Sequence, residues 1–341
     1  MAHHTPLPTR PLGTTGMEIT RVGLGAWAIG GGDWQFGWGV QDDDRSIAAI
    51  RHAVASGINW IDTAAVYGLG HSEDVVARAL KVLPTADRPF IFTKCGMVWD
   101  EADRSRPPKR LASPASIRQE LEGSLRRLGV ERVDLYQLHW PPEDGTPLEE
   151  YWGTMLELKR EGKIRAAGLS NHKADQLAAA EQVGHVDSLQ PPFSAVRRDI
   201  AERELPWCAD HRTGVIVYSP MLSGLLSGAF TRERAAALPE NDWRSRAVNF
   251  HGEALERNLA LVETLRAVAG RHGAGVGSVA IAWTLAWRGV TGAIVGARAP
   301  AQVDGWIDAA ALELTAADLD EMTTAIRRTG AGSGPITSPD R

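Results

Sequence analysis

Asp62 closes the apolar run "INWID", Lys94 closes "FIFTK", His139 closes "LYQLH", and Tyr67 follows Asp62 by five residues in "IDTAAVYGLG". A carboxylate, an ammonium, an imidazole and a phenol are side chains that hold and pass protons, the material of a general acid–base site. Taken singly, each has an ordinary reading: Asp62 as a cap or turn residue, Lys94 as a solvated strand end, His139 as a hydrogen-bonded core histidine. What argues for a site is their shared placement, each at or just beyond the C-terminal end of a strand, provided those strands converge.

The elements around them supply that convergence. Ile47, Ile50 and Val54 share a helical face, Gly57 stops the helix, and "INWID" follows at once as a buried strand. The same order recurs with Ile117, Leu121, Leu125 and Leu128 before Gly129 and "VDLYQLH", then with "YWGTMLELKREG" before "KIRAAGLS" and "LPWCADHRTG" before "VIVYSP". Helix and strand alternating over short connections predict a parallel sheet with helices on its outer face. Candidate strands are "VGLG" (22–25), "WID" (60–62), "FIFTK" (90–94), "LYQLH" (135–139), "AAGLS" (166–170), "DSLQ" (187–190), "VIVYS" (215–219) and "GAIV" (292–295). Eight is the number that closes a (β/α)8 TIM barrel, with an open doubly wound sheet as the rival. Long polar loops from 96 to 113 and from 220 to about 255 fall at strand C-termini, the face on which a barrel keeps its chemistry.

No linker divides the chain, so 1–341 reads as one domain with its core over about 10–325 and a mobile tail at 329–341, "TGAGSGPITSPDR". A net charge of -5, from 37 basic and 42 acidic residues, gives no nucleic-acid footprint, and "RSRPPKR" at 104–110 reads as a solvated loop. Cys95 and Cys208 lack any ligand spacing, so neither a disulfide framework nor a metal site is expected. No leader opens the sequence, and "VGSVAIAWTLAW" (276–287) is too short for a membrane span, which makes the cytoplasm the default address and leaves the oligomeric state open. "GLGAWA" (23–28) matches GxGxxA, but the "IGGGDWQFGWG" that follows cannot start the helix a dinucleotide fingerprint requires.

"INWIDTAAVYG", "TK" (93–94), "LYQLHWP" (135–141), "GLSN" (168–171), "YSPMLSGLLSG" (218–228) and "VGARAPAQV" (295–303), in this order, resemble the aldo-keto reductases, most nearly the bacterial branch of inositol-operon and general-stress reductases. The resemblance implies a (β/α)8 barrel, NADP(H) at its mouth, a small carbonyl or alcohol as substrate, and a tetrad of Asp62, Tyr67, Lys94 and His139. Those types suit the reaction. Hydride transfer to a carbonyl builds negative charge on oxygen, so a proton donor must stand there, and tyrosine serves. Lys94 is expected to lower the phenol's pKa, Asp62 to hold Lys94, and His139 to orient the carbonyl.

The resemblance also assigns the cofactor. Ser170, Asn171 and Gln190 match its carboxamide partners, Tyr218 the ring that stacks on nicotinamide, and Ser219, Pro220, Leu222 and Gly224 the pyrophosphate loop. Gly296, Arg298 and Gln302 match the adenosine end, where a guanidinium suits a 2′-phosphate. Two positions depart from the pattern: Ala229 where relatives carry lysine, and Trp306 where they carry asparagine. Among twelve tryptophans, Trp27, Trp34, Trp99 and Trp140 are expected to line the substrate pocket. Two other readings stand beside the reductase: an NADPH-binding regulatory or sensor protein with little turnover, and a barrel hydrolase with Asp62 and Glu143 as its paired carboxylates.

Overall fold

The computed structural model describes residues 6–32, 37, 39, 41–240 and 242–338. A short antiparallel hairpin, β1 (Thr9–Pro11) and β2 (Glu18–Thr20), comes first. Then follow β3 (Val22–Gly25), β4 (Trp60–Asp62), β5 (Phe90–Cys95), β6 (Val133–Leu138), β7 (Ile164–Ser170), β8 (Ser188–Gln190), β9 (Gly214–Tyr218) and β10 (Val290–Gly296). These eight strands are all parallel and close in sequence order, β10 pairing with β3, so the fold is the expected (β/α)8 barrel rather than an open sheet. The hairpin was not foreseen: its strands are three residues each, too short for alternation to register.

Helices cover the outside: α1 (Asp43–Ala55), α2 (His71–Leu80), α3 (Pro114–Leu128), α4 (Leu148–Arg160), α5 (Ala174–Val183) and α6 (Glu204–His211). The loop after β9 carries α7 (Arg232–Ala236) and short 3-10 turns, and α8 (Gly252–His272), α9 (Val276–Leu285), α10 (Pro300–Asp304) and α11 (Ala316–Thr329) complete the ring. Local chemistry sets their ends. Asp42 caps α1 by accepting from the Arg45 N–H at 2.8 Å, Ser113 and Pro114 open α3, and Gly129 ends it at φ 66°.

Two apolar shells result. The larger lies between the strands and the helices. The smaller fills the barrel's interior with Trp60, Phe92, Leu135, Ala166, Ile216 and Ile294, closed off by Leu12, Met17 and Ile19 of the hairpin segment. Trp60 spans this floor because β3 offers Gly23: a Cβ there would lie 2.1 Å from the indole. The indole N–H donates to the Thr20 carbonyl at 2.8 Å, so its burial leaves no orphan donor.

Strand geometry fixes what sits above the floor. Side chains alternate, so two residues beyond each inward apolar residue the next inward position follows: Trp60 leads to Asp62, Phe92 to Lys94, Leu135 to Gln137 and Ile216 to Tyr218. The barrel therefore changes from an apolar to a polar interior in one step toward its C-terminal mouth.

The segment read as a loose tail is partly docked. Arg198, 2% exposed, donates to the carbonyls of Ala331 at 3.1 Å and Pro335 at 2.9 Å, and its own N–H bonds to Ser333 at 2.9 Å. Composition hid this because the partners are backbone groups. No helix among the described residues is long and apolar enough to cross a membrane.

Candidate active site

The polar layer centres on one buried ion pair. Lys94 Nζ donates to Asp62 Oδ1 at 2.5 Å, to the Thr63 carbonyl at 2.9 Å and to the Tyr67 hydroxyl at 3.3 Å, which occupies all three ammonium protons. Asp62 Oδ2 accepts from Gln190 Nε2 at 2.8 Å and from Gln137 Nε2 at 3.4 Å. Gln137 escaped the sequence reading, although a glutamine inside the apolar run "LYQL" was the available signal. Gly168 lets it fit, because a Cβ there would lie 3.0 Å from Gln137 Cγ. His139 meets the Tyr67 ring edge-on, centroids 5.6 Å apart. The four residues expected to form a tetrad thus lie together at the mouth.

Their charge states follow from burial. Desolvation pushes the Tyr67 phenol well above its ordinary 10, and the negative Asp62 adds to this. The net shift is set by burial and Asp62; the Lys94 ammonium, donating to the phenol oxygen, acts the other way by favouring the phenolate. The ammonium is 2.5 Å from the Asp62 carboxylate and 3.3 Å from the hydroxyl. Burial also lowers Lys94 from its usual range, against the opposing pull of Asp62 and Glu73. Desolvation, then the charges of Lys94 and Arg110, hold His139 well below 6.5. At neutral pH the site presents a protonated phenol and a neutral imidazole, two hydrogen-bond donors of the kind a developing alkoxide needs.

A second row stands behind the first. Glu73, wholly buried, accepts from Thr93 Oγ1 at 2.6 Å and Arg127 Nε at 2.7 Å. Glu120 receives the Gly96 N–H at 3.0 Å, where β5 ends, and burial raises its carboxyl to about 7. Neither was foreseen, since both sit on helices at positions that read as ordinary surface charge.

The residues matched to a nicotinamide cofactor ring the same mouth. Ser170 Oγ donates to the Gln190 carbonyl at 2.8 Å, Asn171 Nδ2 to the His139 carbonyl at 2.9 Å, and the half-buried Tyr218 hydroxyl to Asn171 Oδ1 at 2.8 Å. Gln190 spends its amide on Asp62 and so also belongs to the ion-pair layer. Beyond Tyr218, Ser219, Leu222, Ser223 and Gly224 adopt positive φ of 57°, 43°, 53° and 92°. Such a run bends the backbone around one concavity, and the Ser223 N–H there has no partner among the described residues. A concavity with a free N–H suits a pyrophosphate oxygen; Pro220, which has no N–H to give, lies on the same loop. At the far end Gly296 closes β10, Arg298 N donates to Gln302 Oε1 at 2.6 Å, and the Arg298 guanidinium bonds to Gln41.

Trp306 is 3% exposed and packed in the outer core, so its face is covered rather than offered to a base. A cavity of about 550 Å³ opens beside Tyr218, with Trp27 and Trp243 in its wall. Of the tryptophans expected there, Trp27 lines it. Trp99 instead packs with Tyr67 against Ala64, Val66 and Leu69, Trp140 lies under the Arg110 guanidinium at 4.8 Å, and Trp34 is outside the described residues. Cys95 is buried and its thiol pushed well up, as a core residue. Among the described residues no cluster of metal ligands occurs.

A closed parallel (β/α)8 barrel with a buried Asp–Lys pair against a tyrosine at its C-terminal mouth suits a nicotinamide-dependent oxidoreductase. The chain belongs to the aldo/keto reductase family, whose pattern it matches over residues 21–327. Family members use nicotinamide cofactors. It is 37% identical over 330 residues to an NADH-specific methylglyoxal reductase of Escherichia coli, covering 93% of this chain and 99% of that one. It is 35% identical to the aldo-keto reductase YhdN of Bacillus subtilis, over 92% of each. The glycerol dehydrogenase AKR11B4 from Gluconobacter oxydans superposes with a TM-score of 0.86 at 36% identity, covering 99% of both chains.

Proposed function

We propose that the protein is an NADP(H)-dependent reductase that interconverts aldehydes or ketones and alcohols, with Tyr67 as the group that gives and takes the proton at the substrate oxygen. The observation that carries this is the single ammonium of Lys94 bonded both to the buried Asp62 carboxylate and to the Tyr67 hydroxyl. Asp62 holds Lys94 charged and fixed; Lys94 fixes the phenol oxygen and stabilises it when its proton leaves. His139, neutral, donates a second hydrogen bond that orients the carbonyl. The bound nicotinamide supplies or accepts the hydride. Ser170 and Asn171 are assigned to its carboxamide and Tyr218 to its ring face, with Ser219, Leu222 and Gly224 at the pyrophosphate.

The preference for NADPH rests on Arg298. Its guanidinium, held by Gln41, feels the nearby Arg45, and two positive groups at the adenosine end favour a 2′-phosphate. The NADH-specific relative makes this the point to measure first. The resemblance to the inositol-operon and general-stress branch belongs to the same proposal, as does a cytoplasmic site of action. Methylglyoxal, suggested by that relative's name, is a suitable first substrate. The test is the loss of NADPH absorbance, and separately of NADH, with methylglyoxal and an aromatic aldehyde. Sustained oxidation, faster with NADPH at subsaturating cofactor, supports the reading; one equivalent oxidised and then a stall favours the sensor role.

A further inference from the structure

The cavity beside Tyr218 contains a charge that the reaction described above does not use. Arg197 sits in a tight turn in which Ser194 and Arg197 exchange backbone hydrogen bonds at 3.1 Å each. The adjoining Arg198, buried, ties that turn to Ala331, Gly334 and Pro335, and Ser333 bridges to Arg197 itself. The turn is therefore held from two sides, and the residue it carries is presented from a fixed backbone. The Arg197 side chain is exposed, lines the cavity, and among the described residues has no carboxylate within ion-pair distance.

The other charges in the cavity wall are already engaged. Arg257 pairs with Glu253 at 2.8 Å, and Asp199 accepts from Ser333 Oγ at 2.9 Å. Arg197 thus stands as a guanidinium on a wall it shares with Trp27, Trp243 and Phe250 and with Ser219 and Ser223 of the loop after β9. Its field reaches the site: although burial raises the Tyr218 phenol to about 12, Arg197 pulls it the other way. A planar, five-donor cation on a rigid turn, facing a cavity of about 550 Å³, matches a carboxylate or phosphate better than it matches a neutral group.

We propose that Arg197 is a specificity-determining residue that binds an anionic group, a carboxylate or phosphate, at the end of the substrate remote from the carbonyl. The class favoured is an aldehyde or ketone whose apolar or aromatic middle lies against Trp27 and Trp243 while its anionic end meets the guanidinium. This rests on the reductase reading given above. The same cation could serve a phosphate of the cofactor, and the experiment separates the two.

The wild type, Arg197→Met and Arg197→Lys are compared in reduction of 4-carboxybenzaldehyde and of its neutral methyl ester. Cofactor affinity is measured separately, by NADPH fluorescence. Arg197→Met is expected to lower kcat/KM roughly tenfold or more for the carboxylate, mostly through KM, and to leave the ester within about twofold. Arg197→Lys should recover part of the loss, with NADPH affinity unchanged in both. Equal losses on the two aldehydes, or no loss on either, overturn the proposal. A matching loss of NADPH affinity also overturns it, by giving the guanidinium to the cofactor. Binding of 4-(hydroxymethyl)benzoate in the presence of NADP, followed by tryptophan fluorescence, tests Arg197 without turnover. An enzyme that reduces neither aldehyde yet loses this binding in Arg197→Met defeats the reductase reading and keeps the anion site; retained binding defeats the anion site.

Discussion

Replacing Lys94 by methionine isolates the energetic logic of the ion-pair layer. The variant keeps the aliphatic stem and removes the ammonium, leaving Asp62 3% exposed at its side chain, with only Gln190 and Gln137 as side-chain donors. Stranding one partner of a buried pair costs about 3–5 kcal/mol. With an unfolding entropy of about 2.1 cal/mol/K per residue, 341 residues give roughly 0.7 kcal/mol/K, so the melting temperature should fall by about 4–7 °C. Asp62→Asn alone strands the ammonium and should cost a similar amount. The double variant Asp62→Asn with Lys94→Met removes both charges and should recover most of the loss, because an uncharged pair of like volume is often as stable as the ion pair. Denaturant unfolding of the wild type, both singles and the double completes the cycle. A coupling of at least about 2 kcal/mol is expected. Additive losses, or a Lys94→Met variant within about 1 kcal/mol of wild type, would refute the claim that Asp62 is held by Lys94.

Glu120 gives a pH dependence whose sign can be worked out. Its folded carboxyl titrates at about 7 against an ordinary 4.5, so the native state holds the proton more tightly. Stability must then fall as pH rises through that window, by on the order of 3 kcal/mol, complete above pH 7. Glu120→Gln should flatten the difference between urea midpoints taken at pH 5 and pH 8; parallel curves for the two proteins would contradict it. Gly23→Ala places a methyl 2.1 Å from the Trp60 ring in a closed interior, and should cost about 3 kcal/mol or prevent folding, as read by thermal unfolding. A Gly23→Ala protein as stable as wild type would mean that the barrel floor is looser than described.

The sequence displayed the barrel because each barrel strand after β3 follows a terminated helix and carries its own apolar run. β4 was bounded correctly at Trp60–Asp62, whereas β6, read as "VDLYQLH", ends at Leu138, one residue before His139. The tetrad was legible for a geometric reason: parallel strands in a closed barrel bring all their C-terminal ends to one face. What strands bring together, strand ends can announce. Contacts made by loops and backbone cannot be announced this way. The direction of the Tyr67 shift depends on how fully the folded barrel mouth buries the phenol and on the nearby charge of Asp62, and no spacing in a sequence encodes that. Trp99 and Trp140 were expected to line the substrate pocket because they follow strands, but the side-chain direction that sends one toward Tyr67 and the other under Arg110 is set by the loops after β5 and β6. Arg197 was invisible for the same reason, since its role comes from a turn pinned by Arg198 to the last segment of the chain.

The most direct test of the central claim is steady-state NADPH oxidation by the wild type and Tyr67→Phe, run with a fluorescence titration of NADPH on both proteins. The phenyl ring keeps the packing against His139 and loses only the hydroxyl that Lys94 contacts. The expected result is a fall in kcat of about 100-fold or more with NADPH affinity within about twofold, the cost of removing a proton donor from a formed site. Near wild-type turnover in Tyr67→Phe would contradict the assignment and send the search for the proton donor to another residue at the barrel mouth.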